Sequence, residues 1–253
     1  RNHSSAASDV YKRQPYRSLP STKEEMQEEK AHLLYSFLPP GIFVAIIWLV
    51  ALYEFAFGVS LSSYGLAPQH FEGLRGVITM PFLHSDIEHL ASNSIPFIVL
   101  GWLIIYLYRK VVYKTFIFIW IFSGIGVWLV GQPDSVHIGA SGLVYGMAFF
   151  LFFSGVFRND IRAAGIALFV AFVYGSIVWG LFPIRENMSW EGHSMGAIAG
   201  VLCAFYFRKI DPPPQPEWMD EEEHEEPEWE EMEPETPQSP PRKITVHYHI
   251  TKK

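Results

Sequence analysis

The chain has 253 residues and a formal net charge of −7, and 49% of its residues are hydrophobic. The negative charge is concentrated in residues 211–236, which hold 13 of the 26 acidic residues and no lysine or arginine. The rest of the chain is apolar, aromatic and mildly basic, which is typical of a membrane protein. A single cysteine, Cys203, excludes an internal disulfide and a cysteine-based metal cluster.

Residues 1–40 are predicted to form an N-terminal cytoplasmic segment. Residues 1–14 have no apolar core of the kind found in signal peptides and resemble a translated cloning scar, so they carry no weight in the fold prediction. Residues 24–38 are predicted to form a short helix whose later turns lie on the cytoplasmic membrane surface.

Six apolar runs follow between residues 41 and 209, each near the roughly 20 residues that cross a bilayer as a helix. The runs cover residues 41–57, 90–108, 111–130, 139–157, 163–182 and 192–207. We therefore predict an all-α membrane protein whose domain, residues 41–209, is a bundle of six transmembrane helices.

Basic residues in short connections predict the orientation of the bundle. They follow the second, fourth and sixth runs, as Arg109, Lys110, Lys114, Arg158, Arg162, Arg208 and Lys209. In a six-span chain these connections lie on one side, which we predict to be cytoplasmic. Both termini are then cytoplasmic, in a multi-pass protein of the bacterial inner membrane.

Residues 210–253 are predicted to form a cytoplasmic tail outside the bundle. Their acidic, proline-rich part is typical of disordered chain. The end of the tail, residues 244–251, alternates apolar and polar residues in a short strand-like pattern. Its two histidines, His247 and His249, are interpreted as a solvated strand face, and no metal site is predicted.

Polar side chains occur at the N-terminal ends of the second, fourth and sixth runs, which all cross from outside to inside. His89 and Asn93 are four residues apart and share one face of the second span. Ser141 opens the fourth span and His193 the sixth, at the same predicted depth. Polar groups inside a membrane are costly and tend to face a protein interior or a wet cavity. The three helix ends therefore predict one site.

Small residues predict how the fourth and sixth spans meet. Gly192, Gly196 and Gly200 are spaced four apart on the sixth span, and Gly142 and Gly146 have the same spacing on the fourth. Faces of small residues let membrane helices approach closely. We predict a tight contact between these two spans that brings His193 to Ser141.

This arrangement suggests nucleophilic catalysis. A serine hydroxyl becomes a useful nucleophile when a neighbouring base takes its proton, so Ser141 is the candidate nucleophile and His193 the candidate base. No aspartate lies in the second to sixth spans, which favours a dyad, although Glu191 near His193 keeps a triad open.

Further residues are predicted to assist the same reaction. The unpaired N–H of Ser141 at the helix start can stabilise an oxyanion, with His89 and Asn93 as additional donors. Gly139 and Gly142, on either side of the serine, leave room for a substrate carbonyl.

Three motifs carry a family resemblance: "HSDIEHLASN" at 84–93, "GASGLVYG" at 139–146 and "GHSMGAIAG" at 192–200. In this order they resemble the rhomboid intramembrane serine proteases of the six-transmembrane bacterial type, over roughly residues 70–208. The resemblance implies that Ser141 is the nucleophile, His193 the general base, and His89 with Asn93 the oxyanion support.

The resemblance also implies supporting residues and partners. His84 matches a further family histidine, and Tyr145 matches the tyrosine that packs against the catalytic imidazole. Gly196 belongs to the small face that follows His193. The implied substrates are single-span membrane proteins cut at or near the bilayer surface, with the lipid bilayer as surroundings and no cofactor. One departure is Leu74 before Arg75, where the family often has tryptophan.

Two other classes of function stay open at this stage. An inactive rhomboid-like binder of membrane proteins would normally lack the serine or the histidine, and this chain has both. A haem- or quinone-binding membrane protein could use His84, His89 and His193 as ligands. Nothing in the sequence predicts nucleic-acid binding or a particular oligomeric state.

Overall fold

The structure is a computed structural model that describes residues 22–158, 161–184 and 188–210. Within these ranges the regular secondary structure is helical, and the one β pairing is an isolated antiparallel bridge between Leu66 and His137. The predicted all-α class is confirmed. The predictions for residues 1–21 and 211–253, including the scar, the acidic tail and its strand-like end, lie outside the described residues.

Two helices lead into the bundle, α1 (Lys23–Tyr35) and α2 (Leu38–Phe57). Helix α2 begins three residues before the predicted run, because its prolines lie in the first turn, where a missing N–H costs no helical hydrogen bond. Gly58 ends α2 in the left-handed conformation, with φ of 62°, which glycine adopts at little cost.

The connection after α2 lies at the end of the bundle that holds the candidate site. It contains the short helix α3 (Gly76–Thr79) and three 3₁₀ turns. Arg75 fixes this connection, since its guanidinium donates to the Ser63 carbonyl at 2.8 Å and lies 4.8 Å from the centre of the Tyr64 ring. Leu66, fully buried, pairs with the backbone of His137.

Three long helices follow, α4 (Ile87–Leu107), α5 (Val112–Val130) and α6 (Ser141–Arg158). Each agrees with its predicted run to within three residues. Asp86 precedes α4 and caps it, because its carboxylate accepts the backbone N–H of His89 at 2.8 Å.

The predicted fifth span, residues 163–182, is helical over Ala164–Leu181, but the helix is not α-helical throughout. Helix α7 (Ile161–Tyr174) ends at Tyr174, and residues Gly175–Leu181 continue as a 3₁₀ helix. Glycines at positions 175 and 180 weaken the preference for an α-helix here. The last helix is α8 (Trp190–Tyr206).

Within the part of the chain that the structure describes, five helical stretches are long and apolar enough to cross a membrane, judged by length and composition. They are Met26–Phe57, Ile87–Leu107, Val112–Val130, Ser141–Arg158 and Ala164–Leu181. Helix α8, the sixth predicted span, has 17 residues, which is the short end of the range that crosses a bilayer. The protein is thus an integral membrane protein, and the count of six spans stays a prediction.

Helices α6 and α8 pack with their backbones in contact. A Cβ atom added to Gly196 would overlap the carbonyl oxygen of Gly142, and one added to Gly200 would overlap that of Gly146. Such closeness is possible only between faces without side chains. The predicted contact between the fourth and sixth spans is confirmed, and it places the first turns of both helices side by side.

Candidate active site

Ser141 and His193 meet across the contact between α6 and α8. Ser141 is the first residue of α6, and His193 lies in the first turn of α8. The His193 Nε2 atom is 2.8 Å from the Ser141 hydroxyl oxygen, which is hydrogen-bond distance. The imidazole is buried, with 5% of His193 exposed, so surrounding atoms fix its orientation.

The other ring nitrogen of His193 determines its tautomer. The Nδ1 atom lies 2.9 Å from the backbone carbonyl oxygen of Gly180, in the 3₁₀ segment. A carbonyl can only accept a hydrogen bond, so Nδ1 carries the proton and donates it. In the neutral ring Nε2 then has a free lone pair, and it accepts the hydroxyl hydrogen of Ser141.

A triad through Glu191 is not what the geometry provides. Glu191 is buried and lies two residues before His193 in the sequence. The hydrogen bond at His193 Nδ1, however, is made to the Gly180 carbonyl. Sequence reasoning missed Gly180, because the group that matters is a backbone carbonyl that any residue would carry. The only sequence signal at this position is glycine itself.

Tyr145 and Gly180 hold the imidazole from two directions. The rings of Tyr145 and His193 are stacked, with centroids 4.0 Å apart and planes 4° from parallel. A Cβ atom at Gly180 would collide with the Tyr145 hydroxyl. A side chain at position 180 would therefore displace Tyr145 from the place where the 3₁₀ segment, α6 and α8 converge on the histidine ring.

His89 and Asn93 share one face of α4, as their spacing predicts. The Asn93 amide donates to the backbone carbonyl of His89 at 2.8 Å. Ser85 donates its only hydroxyl hydrogen to Asp86 at 2.7 Å, so its contact with His89 Nδ1, at 3.2 Å, must be donated by the ring. In a neutral His89 the proton is thus on Nδ1 and not on Nε2.

One cavity of about 1440 Å³ brings the predicted residues together. His89, Asn93, Ser141, Tyr145 and His193 all line it. The cavity is bounded by α4, the connection between α5 and α6, α6, the 3₁₀ segment and the start of α8, and it has room for a segment of polypeptide beside Ser141.

Gly139 packs closely against the His89 ring. Its φ of 110° is a conformation that residues with a side chain rarely adopt. A Cβ atom there would also come within 2.7 Å of the His89 Nε2 atom. Gly142, on the other side of Ser141, faces the Gly192 carbonyl, where an added Cβ would lie 3.2 Å away. Both glycines flanking the serine therefore serve close packing.

His84 packs beside His89 and outside the membrane-spanning helices. The two rings meet edge to face, with centroids 5.0 Å apart. Both His84 nitrogens are shielded from solvent. Burial, with a smaller contribution from the charge of His89, lowers the pKa of His84 from 6.5 to about 4. Burial also lowers the pKa of His137, in the connection between α5 and α6.

These histidines predict that acid destabilises the fold. Between pH 6.5 and about 4 the unfolded chain binds a proton at residue 84 that the folded protein does not, so the free energy of unfolding falls as the pH decreases through this window. We expect the melting temperature in detergent to drop between pH 7 and 5, and His84→Asn to reduce that drop. Substituting the exposed His70 by asparagine is the control, and equal acid sensitivity of wild type and His84→Asn would contradict the prediction.

Sequence reasoning did not identify His137 and Ser189. His137 is buried between two serine hydroxyls, and Ser189 caps the start of α8. A signal was available for Ser189 alone, because a serine immediately before a helix is expected to cap it, and Ser189 directly precedes α8. Among the residues that the structure describes, no group of three or more histidine, cysteine or acidic residues could hold a metal ion.

Fold and site together define a helical integral membrane protein with a buried serine–histidine pair in a cavity between its helices. The Rhomboid domain family matches residues 72–210, which is more than half of the chain, and the protein belongs to that family.

Individual relatives support the same placement. An uncharacterised protein of Mycobacterium bovis is 41% identical over 172 residues, covering 64% of this chain and 71% of the relative. An uncharacterised protein of Mycobacterium leprae is 35% identical over 174 residues, with coverages of 64% and 68%. A Bacillus subtilis protein whose name provisionally calls it a rhomboid protease is 27% identical over 150 residues, with coverages of 58% and 73%.

Proposed function

We propose that this protein is an intramembrane serine endopeptidase in which Ser141 is the nucleophile and His193 the general base. The observation that carries the proposal is the position of the His193 ring. Its Nδ1–H is held by the Gly180 carbonyl, and its Nε2 lone pair faces the Ser141 hydroxyl at 2.8 Å. This is the tautomer and orientation that general-base activation of a serine needs.

The reaction follows from this arrangement. As Ser141 Oγ attacks the scissile carbonyl, its proton moves to His193 Nε2. The imidazolium, stabilised through Nδ1 by the Gly180 carbonyl, then gives that proton to the departing amine. A water molecule, activated by the same nitrogen, hydrolyses the acyl-enzyme and restores the serine.

Two uncharged donors are suited to the oxyanion. The N–H of Ser141 is at the start of α6, where the first amides have no partner within the helix. The Asn93 amide lines the same cavity. His89 could donate from Nε2 only as an imidazolium, because its proton is on Nδ1 in the neutral ring. Asn93 and the Ser141 amide are therefore the main donors, and His89 has an auxiliary and pH-dependent part.

We propose single-span membrane proteins as the substrates. The cavity is lined by residues of helices that are long and apolar enough to cross a membrane, which suits a substrate that also lies in the bilayer. The basic connections favour a site on the outer side, with both termini cytoplasmic and with α8 as the sixth span. The proposed chemistry uses side chains and backbone only and needs no cofactor.

A labelling experiment tests the proposal. Purified protein in detergent should cleave a single-span reporter carrying small, helix-breaking residues near its outer end, and a fluorophosphonate probe should modify Ser141, as located by mass spectrometry. His193→Ala should lose both reporter cleavage and labelling by the probe, because the Ser141 hydroxyl then keeps its proton. Wild-type protein that neither cleaves nor labels, or labelling that survives His193→Ala, would show that this pair is not a catalytic dyad.

A further inference from the structure

A chain of hydrogen bonds runs from the segment between α5 and α6 to the start of α8. Ser135 donates its hydroxyl hydrogen to the Gln132 carbonyl at 2.6 Å. Its oxygen is 2.9 Å from His137 Nε2, and because the only hydroxyl hydrogen is already used, Nε2 must be the donor. His137 Nδ1 is then unprotonated in the neutral ring.

The second half of the chain runs through Ser189. His137 Nδ1 is 2.6 Å from the Ser189 hydroxyl oxygen, so Ser189 donates to it. The same oxygen accepts the backbone N–H of Gly192 at 3.3 Å and caps α8. Gly192 is followed directly by His193. Every donor in the chain has one acceptor, so the hydroxyl of Ser189 has a single favoured direction.

His137 is also tied to Ser141. Its backbone N–H and carbonyl pair with Leu66 at 2.8 and 2.9 Å, and both residues are buried. Two residues further along, the Gly139 N–H donates to the Met80 carbonyl at 2.8 Å. The backbone that leads into Ser141 is therefore fixed on one side of His137, and the cap of the helix that carries His193 is fixed on the other.

We propose that His137 is a positioning residue, which sets the separation of Ser141 and His193 through its hydrogen bond to Ser189. The inference rests on the proposed protease function. Helix α8 has no side chain between it and α6 at Gly196 and Gly200, so those contacts fix the distance between the helices. The cap from His137 and Ser189 fixes the first turn, in which His193 lies.

The test is a double-mutant cycle with a rescue variant. Ser189→Ala and His137→Phe should each lower kcat by roughly ten- to a hundredfold, since a displacement of about 1 Å at a reacting group costs that much. KM should change less than kcat, because the lost hydrogen bond acts on the position of His193, although both side chains also line the cavity. The double variant should be no slower than the worse single one, since both remove the same bond. Ser189→Thr keeps the hydroxyl and should retain most of kcat.

Controls and a second readout make the outcome decisive. His70→Phe changes an exposed histidine of the connection after α2 and should leave kcat unchanged. The ¹⁵N signals of the His193 ring should shift in Ser189→Ala and in His137→Phe but not in His70→Phe. If His137→Phe does not fold, Ser189→Ala against Ser189→Thr decides alone.

Three results would overturn the positioning role: wild-type kcat in folded Ser189→Ala, multiplying losses in the double variant, or a loss in Ser189→Thr equal to that in Ser189→Ala. A wild-type protein without proteolysis would instead count against the proposed function. In that case the ¹⁵N signals of the His193 ring still test the positioning role of His137. Unchanged signals in Ser189→Ala would refute that role.

Discussion

Replacing Ser141 by alanine is expected to abolish proteolysis and to leave the bundle folded. The change removes one oxygen atom from a small residue, so the close contact of α6 with α8 is kept. It also removes the hydroxyl that lies 2.8 Å from His193 Nε2, and with it the nucleophile. We expect the rate of reporter cleavage to fall by at least about 10³-fold, and labelling by the fluorophosphonate probe to disappear.

The matched control is Ser154→Ala. Ser154 is a fully buried serine of the same helix and does not line the cavity. Its loss should leave cleavage close to the wild-type rate, and both variants should elute and melt as folded protein. If purified Ser141→Ala cleaves the reporter at the wild-type rate, the assignment of this serine as nucleophile is wrong.

Gly196→Ala is expected to have an effect far larger than one methyl group suggests. The added Cβ would overlap the Gly142 carbonyl, which is backbone and cannot rotate away, so α8 must move from α6. Overpacking of this kind costs about 1–3 kcal/mol of stability. Because His193 is one turn away on α8, we expect the same movement to lower kcat by roughly 10²-fold.

Gly165→Ala is the control that separates packing from helix propensity. A Cβ at Gly165, in α7, would have no heavy atom within 4 Å. Alanine is the better helix former by up to about 1 kcal/mol, so this variant should melt at or above the wild-type temperature. Thermal unfolding and cleavage of the reporter measure both effects. A Gly196→Ala protein that melts and cleaves like Gly165→Ala would contradict the described helix contact.

The sequence was sufficient to predict the features that depend on side-chain pattern. Apolar runs of bilayer length predicted the helices, and the spacing of Gly142, Gly146, Gly196 and Gly200 predicted the contact of α6 with α8. From that contact, the approach of His193 to Ser141 followed. In each case residue type and spacing alone carry the information, because helix geometry turns a spacing of four into a face.

The features that were missed depend on distant backbone. The run 163–182 is uniformly apolar, so nothing in it distinguishes an α-helix from the 3₁₀ turn that begins at Gly175. The carbonyl that orients His193 belongs to the main chain of that turn, and a carbonyl has no sequence signature. His137 and Ser189 are 52 residues apart, and only the folded chain makes them partners.

The base and the group that orients it belong to different elements. His193 is on α8, whereas the carbonyl of Gly180 is on the 3₁₀ segment after α7. Thermodynamic linkage makes their coupling reciprocal. A ligand that binds more tightly when this hydrogen bond is formed also stabilises the contact of the 3₁₀ segment with α8. The free energy that the ligand adds to this contact equals the free energy that the contact adds to ligand binding. The affinity of a serine-directed inhibitor is therefore also a measure of how strongly the end of the fifth span is held against the bundle.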